Sequence, residues 1–398
     1  MPRGTRTRDE RNLIATGVVG LALAALHACG ATSTSGSHAA SPGDDGATPA
    51  PSDGSTTVTA ACANDGSAAT GTAAVVSAVG TFLGALTSDQ KSAVSLDKTK
   101  ANAIQWSNFP AGVVHRNGVK LADMSTTAQA AAVALAGVAA GSTGAKMLSE
   151  VRAADDAFKS SSGDGSLFGD GQYYFSVHGP ASTRSPWMLQ IAGHHLAYNF
   201  VFSGKCTSAT PLFDGAQPAK WTDASGTAHD PLAAQRDALG ALFTSTASLD
   251  GAELAGTFSD MINGPSSLMG GTSGGNDSKY PSFLTYPTTG RGANVAAFSA
   301  DQKGLVKTAI EAWVKNVADP VSAALLALYE SDDALSQTYV GYSGAPDLST
   351  TSSYARIDGP RVWIEFTVQE GTTDNMQGHY HTIWRDKVAD YGADFVTQ

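Results

Sequence analysis

The chain has 398 residues, enough for one large domain or two modest ones, and only 15% of them are charged. The formal net charge is -11, and no Lys/Arg cluster lies beyond the first 11 residues, which argues against a nucleic-acid-binding surface. The low charge and the 43 glycines are typical of a secreted protein. We therefore expect a small-molecule or peptide partner and no nucleic acid.

Residues 1–29 have the pattern of an export signal. A basic segment, MPRGTRTRDER, precedes the apolar NLIATGVVGLALAALHA, which is short for a transmembrane helix. The segment ends in LHAC, which resembles the bacterial lipobox, in which the cysteine (here Cys29) carries a lipid. We predict an exported protein of the cell envelope, periplasmic or surface-exposed, held at the membrane through Cys29. Simple signal cleavage or a retained anchor are the alternatives.

Residues 30–70 have few large apolar side chains and are rich in Ser, Thr, Gly, Ala and Pro. Such a segment cannot bury enough surface to offset the entropy lost on ordering, so it is predicted to be a disordered tether. Beyond Cys29 the chain contains Cys62 and Cys206, which in an oxidising compartment most simply form a disulfide. Two separate buried thiols are the alternative.

The folded body is predicted over residues 71–398, and helical patterns dominate its first half. Two sequences, TSDQ and SADQ, have the spacing of a capping box, with Thr87 and Gln90 in the first and Ser299 and Gln302 in the second. Each predicts that a helix begins there.

Apolar spacing predicts two further helices over residues 125–141 and 143–158. Gly141 and Gly144 lie between them and are predicted to act as breakers.

Strand patterns, with alternating apolar residues rich in aromatic and β-branched types, begin near Tyr173 and return near the C-terminus. They are QYYFSVHG (172–179), WMLQIAGHHLAYNFVFSG (187–204), TYVGYSG (338–344), SYARIDG (353–359), RVWIEFTVQ (361–369) and HYHTIWRD (379–386). Helices and strands occur in blocks, so we predict an α+β fold: a mainly antiparallel sheet with flanking helices in a single large domain. The Gly/Pro/Ser-rich stretch at 264–293 is predicted to be a functional loop or disordered.

Five of the nine histidines lie in or at the ends of these predicted strands. Because alternate residues of a strand share a face, His379 and His381 should project together, whereas His194 and His195 should point to opposite sides unless Gly193 permits a bulge. We take His195 as the preferred third ligand of a metal site with His379 and His381. Its counterpart His194 and the more distant Asn199 are predicted to support the site from outside the ligand set.

Three neutral imidazoles with a carboxylate suit zinc, iron, manganese or copper. Glu365 interrupts an apolar strand and is the candidate fourth ligand or general base, and Arg385 is the candidate group that stabilises an oxyanion. Asp386 could orient a histidine. The alternatives are histidines with a purely structural role and a Glu365 paired with Arg385 or Arg356.

Several motifs resemble a bacterial family known as domain of unknown function 3500: FLGALTSDQ, WSNFP, PWMLQIAGHHLAYNF, GAQP, IEF and HYHTIWRDKVADYGADF. The resemblance covers about residues 75–398. It implies no activity, since the family has none assigned, but it marks the GHH and HxH…WRD…DYG segments as a family signature.

The sequence therefore predicts an exported protein with a histidine-rich pocket that binds a divalent zinc, iron or copper ion. A metal-dependent hydrolase is preferred, because activation of water needs the fewest additional groups. An iron or copper oxidoreductase, or a non-catalytic lipoprotein that binds a ligand or another protein, are the alternatives.

Overall fold

The computed structural model describes residues 71–162, 164–255, 286–371 and 378–393. The predicted signal segment and linker, with Cys29 and Cys62, and most of the loop at 264–293 lie outside these ranges. Lipid attachment and the Cys62–Cys206 disulfide therefore stay predictions.

The helices begin and end where local sequence signals place them. Among the described residues the α-helices are α1 (Thr72–Ala85), α2 (Ser88–Val94), α3 (Lys100–Ala103), α4 (Thr126–Ser162), α5 (Ala233–Thr246), α6 (Ala300–Val314), α7 (Asp319–Tyr329) and α8 (Asp332–Ser336). Both capping boxes are confirmed. The Thr87 hydroxyl accepts from the Gln90 N–H, the Ser299 hydroxyl accepts from the Gln302 N–H, and each glutamine side chain returns to the cap.

The α+β prediction is confirmed: a mainly antiparallel sheet and its helices form one domain. The strands are β1 (Ser95–Leu96), β2 (Val119–Lys120), β3 (Tyr174–His178), β4 (Trp187–Gly193), β5 (Leu196–Ser203), β6 (Cys206–Ser208), β7 (Leu212–Ala216), β8 (Trp221–Thr222), β9 (Ala228–His229), β10 (Ala293–Asn294), β11 (Tyr339–Ser343), β12 (Tyr354–Asp358), β13 (Val362–Gln369) and β14 (His379–Asp386). The large sheet has the order β1-β3-β4-β5-β7-β14-β13-β12-β11-β10, with β2 beside β3 and β6 beside β5. Within the described ranges only the β1–β3 pair is parallel, and β8 and β9 form a separate hairpin.

The alternation of side chains gives the large sheet two different faces. In β13, Val362, Ile364 and Phe366 belong to the main apolar core, which includes side chains from α1, α4, α5, α6 and α7. Glu365 and Thr367 of the same strand project to the opposite face. The candidate site lies on that second face.

Helix α4 is interrupted, as predicted, at Gly141, whose φ of 69° is not helical. Gly144 is not a breaker: a Cβ there would lie 2.2 Å from the carbonyl oxygen of Asn316, so glycine permits close contact between α4 and the chain after α6. Among the described residues α4 is long and apolar enough to cross a membrane, but a core helix passes the same test. Its Leu148 and Val151 are part of the core.

Candidate metal centre

The sequence pattern predicts that His194 and His195 lie within a strand, but the structure places them in a turn. Gly193 ends β4 and pairs with Leu196 at the start of β5, so the two histidines form the two-residue turn of a hairpin. His195 has a φ of 58°, in the left-handed region that non-glycine residues seldom occupy. The two rings stack with their centroids 3.7 Å apart, although His194 contacts Asp155 of α4 and His195 contacts the two histidines of β14.

The structure brings together the three histidines predicted as ligands. One nitrogen from each of His195, His379 and His381 lies within 4.8 Å of the other two, and all three residues are buried. His379 and His381 share a face of β14, with their Nε2 atoms 2.8 Å apart. The His195 ring centroid lies 5.0 Å from each of the other two.

Gly215 of β7 creates the space that lets His195 reach the two histidines of β14. Strand β7 lies between β5 and β14, and Gly215 is the register partner of His381. A Cβ at Gly215 would lie 3.1 Å from both Cβ and Cδ2 of His195, and 2.8 Å from the carbonyl oxygen of Tyr380. The imidazole of His195 therefore lies against β7 where any other residue would place a side chain.

Backbone hydrogen bonds hold the strained His195 in place. Its N–H donates to the carbonyl oxygen of Asn108 over 3.3 Å, and its carbonyl oxygen accepts from the N–H of Gly215 over 2.8 Å. A residue at positive φ costs free energy, and such residues persist where the surrounding structure holds them.

Burial keeps the three imidazoles neutral, which is the form that binds metals. Desolvation is the main cause of every shift. It lowers the pKa of His379 to about 4, and it lowers the pKa values of His195 and His381 well below their usual range, helped by the neighbouring histidines.

Two buried polar atoms beside the centre have no hydrogen-bond partner among the described residues. They are Nδ1 of His381 and the hydroxyl of Thr367, its register partner on β13. Unpartnered buried polar groups are costly, and a bound ion, water or substrate atom would relieve that cost.

Glu365 and Arg385 lie on the same face of the sheet but outside the histidine cluster. Glu365 lies two residues before Thr367 on the same face of β13 and is the register partner of Ile383. Its carboxylate accepts hydrogen bonds from the Tyr354 hydroxyl and from the indole of Trp363, each over 2.8 Å. Arg385 forms a buried ion pair with Asp390 over 2.8 Å. The structure thus does not bring Glu365 to the metal centre as a fourth ligand.

The predicted supporting residues are also distributed differently from expectation. Asp386 projects to the other face of β14 and bonds to the Tyr329 hydroxyl and to Arg361, so it does not orient a histidine. Asn199 lies on the site face but pairs with Gln190 and with the Pro211 carbonyl oxygen. Of His194, Asn199 and Asp386, only His194 contacts one of the three clustered histidines, through the ring of His195.

Two of the family-like motifs reach the neighbourhood of the centre from distant parts of the chain. The Trp106 indole donates to the Tyr391 hydroxyl over 2.8 Å. The Trp106 ring lies 6.0 Å from that of Phe213, which in turn lies 5.5 Å from the ring of His381. Trp106 is fully buried in this aromatic cluster.

Three residues at the site were not identified from the sequence: Gly215, Thr367 and Asp155, whose carboxylate on α4 lies 2.6 Å from Nδ1 of His194. A carboxylate in a helix, a glycine in a short strand and a threonine in an alternating strand are common features with no distinctive spacing. Only the tertiary structure brings these three residues to the site.

His178, the remaining strand histidine, lies apart from the centre and bonds to Ser176 over 2.8 Å. Burial, aided by the charge of Lys98, lowers its pKa to about 4. Since the unfolded chain binds this proton with a pKa near 6.5, stability is retained above pH 6.5 and lost as the pH falls toward 4. Acidification from pH 7 to pH 4.5 should lower the free energy of unfolding of His178→Gln by about 2–3 kcal/mol less than that of the wild type, as measured by urea denaturation.

His229→Gln is the matched control for that experiment. His229 bonds to Glu150, which raises its pKa, so its contribution grows rather than falls as the solution is acidified. If acidification lowered the free energy of unfolding of His178→Gln as much as that of the wild type, the attribution of this pH dependence to His178 would be wrong.

The comparisons with known proteins give a family and no activity. The family model described as "Protein of unknown function (DUF3500)" matches residues 68–393, a range that includes every residue of the centre. No curated protein and no solved structure matches the chain.

Proposed function

Because the chain belongs to the DUF3500 family of proteins of unknown function, we propose a function from the geometry of the site alone. The protein is a metal-dependent hydrolase whose ion is held by His195, His379 and His381. The observation that carries this proposal is the convergence of three buried imidazoles from a hairpin turn and from β14 on one point.

The donor set fits a metal ion. Metal–nitrogen bonds of about 2.0–2.1 Å in a tetrahedral site place two ligand nitrogens about 3.3 Å apart. The 2.8 Å between the Nε2 atoms of His379 and His381 is close to that value, so a shift of about half an ångström in either ring would accommodate the ion. Rotation of a side chain about its χ angles supplies such a shift easily.

The donor set also favours a particular chemistry. Within the described ranges the cluster contains three histidines and neither a carboxylate nor a thiolate. Three histidines around zinc leave a fourth position for water, whose pKa the bound metal lowers to near 7. The unpartnered Thr367 hydroxyl lies across from His381 and is suited to hydrogen-bond a group at that position.

An iron or copper oxidoreductase is the second candidate, and one observation favours it. Phe213, Trp106 and Tyr391 form a continuous line of aromatic contacts that starts at the ring of His381. Tryptophan and tyrosine are the most readily oxidised aromatic side chains, and imidazole ligands suit copper and iron as well as zinc.

We place this activity outside the cytoplasm, at the cell envelope, with the body tethered through a lipid on Cys29. The support for this comes from the sequence of residues 1–70. A small-molecule or peptide substrate is consistent with the acidic net charge. A non-catalytic lipoprotein that binds a ligand or a protein is the reading that remains if the centre takes no metal.

Metal analysis of the purified protein tests the proposal. We expect one ion per chain, and stripping it with a chelator should lower the melting temperature, because a ligand at about 100 times its Kd stabilises the folded state by about 3 kcal/mol. Stoichiometric zinc supports the hydrolase, and iron or copper supports the oxidoreductase instead. A protein that takes up no metal even on reconstitution with each of the three would overturn both.

A further inference from the structure

His194 is held in a buried carboxylate clamp. Its Nδ1 lies 2.6 Å from Oδ1 of Asp155, and the two side chains are only 7% and 2% exposed. Because a carboxylate can only accept, Nδ1 of His194 carries the proton. The other carboxylate oxygen of Asp155 accepts from the N–H of Gly169 over 3.1 Å, so both of its oxygens have a partner.

Aromatic side chains complete the setting of His194. The Phe168 ring meets the imidazole edge-on at 5.0 Å, and the Phe158 ring lies 6.4 Å away. The Tyr173 hydroxyl donates to the backbone carbonyl oxygen of His194 over 2.9 Å. The ring and the backbone of this residue are therefore both fixed.

His194 in turn bears on a proposed metal ligand. Its ring stacks on that of His195 with an interplanar angle of 30°, while Gly215 bounds His195 from β7. The His195 imidazole is therefore packed between the ring of His194, which Asp155 holds, and strand β7. Ring orientation decides whether a nitrogen lone pair points at the ion.

Resting on the proposed function, we infer that Asp155 is the positioning residue of the metal centre and acts through His194 on the ligand His195. This is the role that the sequence pattern had suggested for Asp386. Partners outside the ligand set typically change metal affinity by about 10–100-fold when they are removed.

Asp155→Asn is the first test. Asparagine replaces one of the two accepting oxygens of Asp155 with an NH2 group that only donates, and it removes the carboxylate charge, so the hydrogen bond that orients His194 should be weakened or lost. We expect the dissociation constant for Zn²⁺, measured by chelator competition, to rise by about 10–100-fold. We also expect an altered visible spectrum in the protein saturated with Co²⁺. Asp156→Asn is the matched control, since Asp156 lies on the same helix, is half-exposed and pairs with Lys159.

His194→Phe provides a second test, because phenylalanine retains a stacking ring and removes the hydrogen bond. If Asp155 acts through His194, the double variant Asp155→Asn/His194→Phe should bind Zn²⁺ no more weakly than His194→Phe alone. Additive losses, or an unchanged affinity and Co²⁺ spectrum in folded Asp155→Asn, would overturn the inference while leaving the proposed function intact. A wild-type protein that binds no metal would overturn the proposed function as well.

Discussion

The double variant His379→Ala/His381→Ala is expected to contain less than a tenth of the metal of the wild-type protein. Both side chains are buried on one face of β14 and supply two of the three nitrogens that meet within 4.8 Å. One remaining imidazole cannot hold an ion against water. The loss should be visible as a melting temperature that no longer responds to a chelator, in addition to the metal content itself.

The control for this variant is His178→Ala. It also removes a buried strand imidazole, but one that bonds to Ser176 and lies outside the cluster. It should keep the metal content of the wild type while losing stability to a similar extent. Full metal content in the double variant would remove these histidines as ligands, whatever its stability.

Arg385→Met is expected to lower the free energy of unfolding by about 3–5 kcal/mol and to leave the metal content unchanged. The Arg385 and Asp390 side chains are 1% and 2% exposed, and their charged atoms lie 2.8 Å apart. Removal of the guanidinium leaves a carboxylate buried without its counter-charge, which costs more than the pair itself contributes. Urea denaturation measures the change directly.

Two further variants make that result specific. Arg385→Met/Asp390→Asn removes both charges and should recover part of the lost stability. Arg184→Met replaces an exposed arginine and should change stability by less than about 0.5 kcal/mol. If Arg385→Met kept the stability of the wild type, the oxyanion-stabilising role suggested by the sequence would become the better explanation for this residue.

Much of the fold is predictable from local pattern. The capping boxes at Thr87 and Ser299 begin helices because the side chain and the backbone groups that satisfy each other are three residues apart. The alternation in RVWIEFTVQ predicts a strand with one apolar face, and β13 has that form. His379 and His381 share a face for the same reason.

The hairpin turn shows where pattern reasoning fails. The run from Trp187 to Gly204 is largely apolar and aromatic, and only Gly193, directly before His194 and His195, indicates an irregularity in the predicted strand. The chain reverses there: Gly193 pairs with Leu196, and in the resulting turn the two rings stack. The prediction that these two residues lie within a strand was therefore wrong, and strand alternation does not decide where their rings lie.

The sequence by itself determined the strand that carries His379 and His381 on one face, and the α+β class, because both depend on periodicity over a few residues. It also singled out His195, which the structure places in a turn and not in a strand. Only the tertiary structure decided that β7 lies between the hairpin and β14, that Gly215 clears the path for His195, and that Asp155 of a helix holds His194. Those facts depend on strand order and on helix placement, which are set by burial summed over the whole core. No short stretch of chain contains that information.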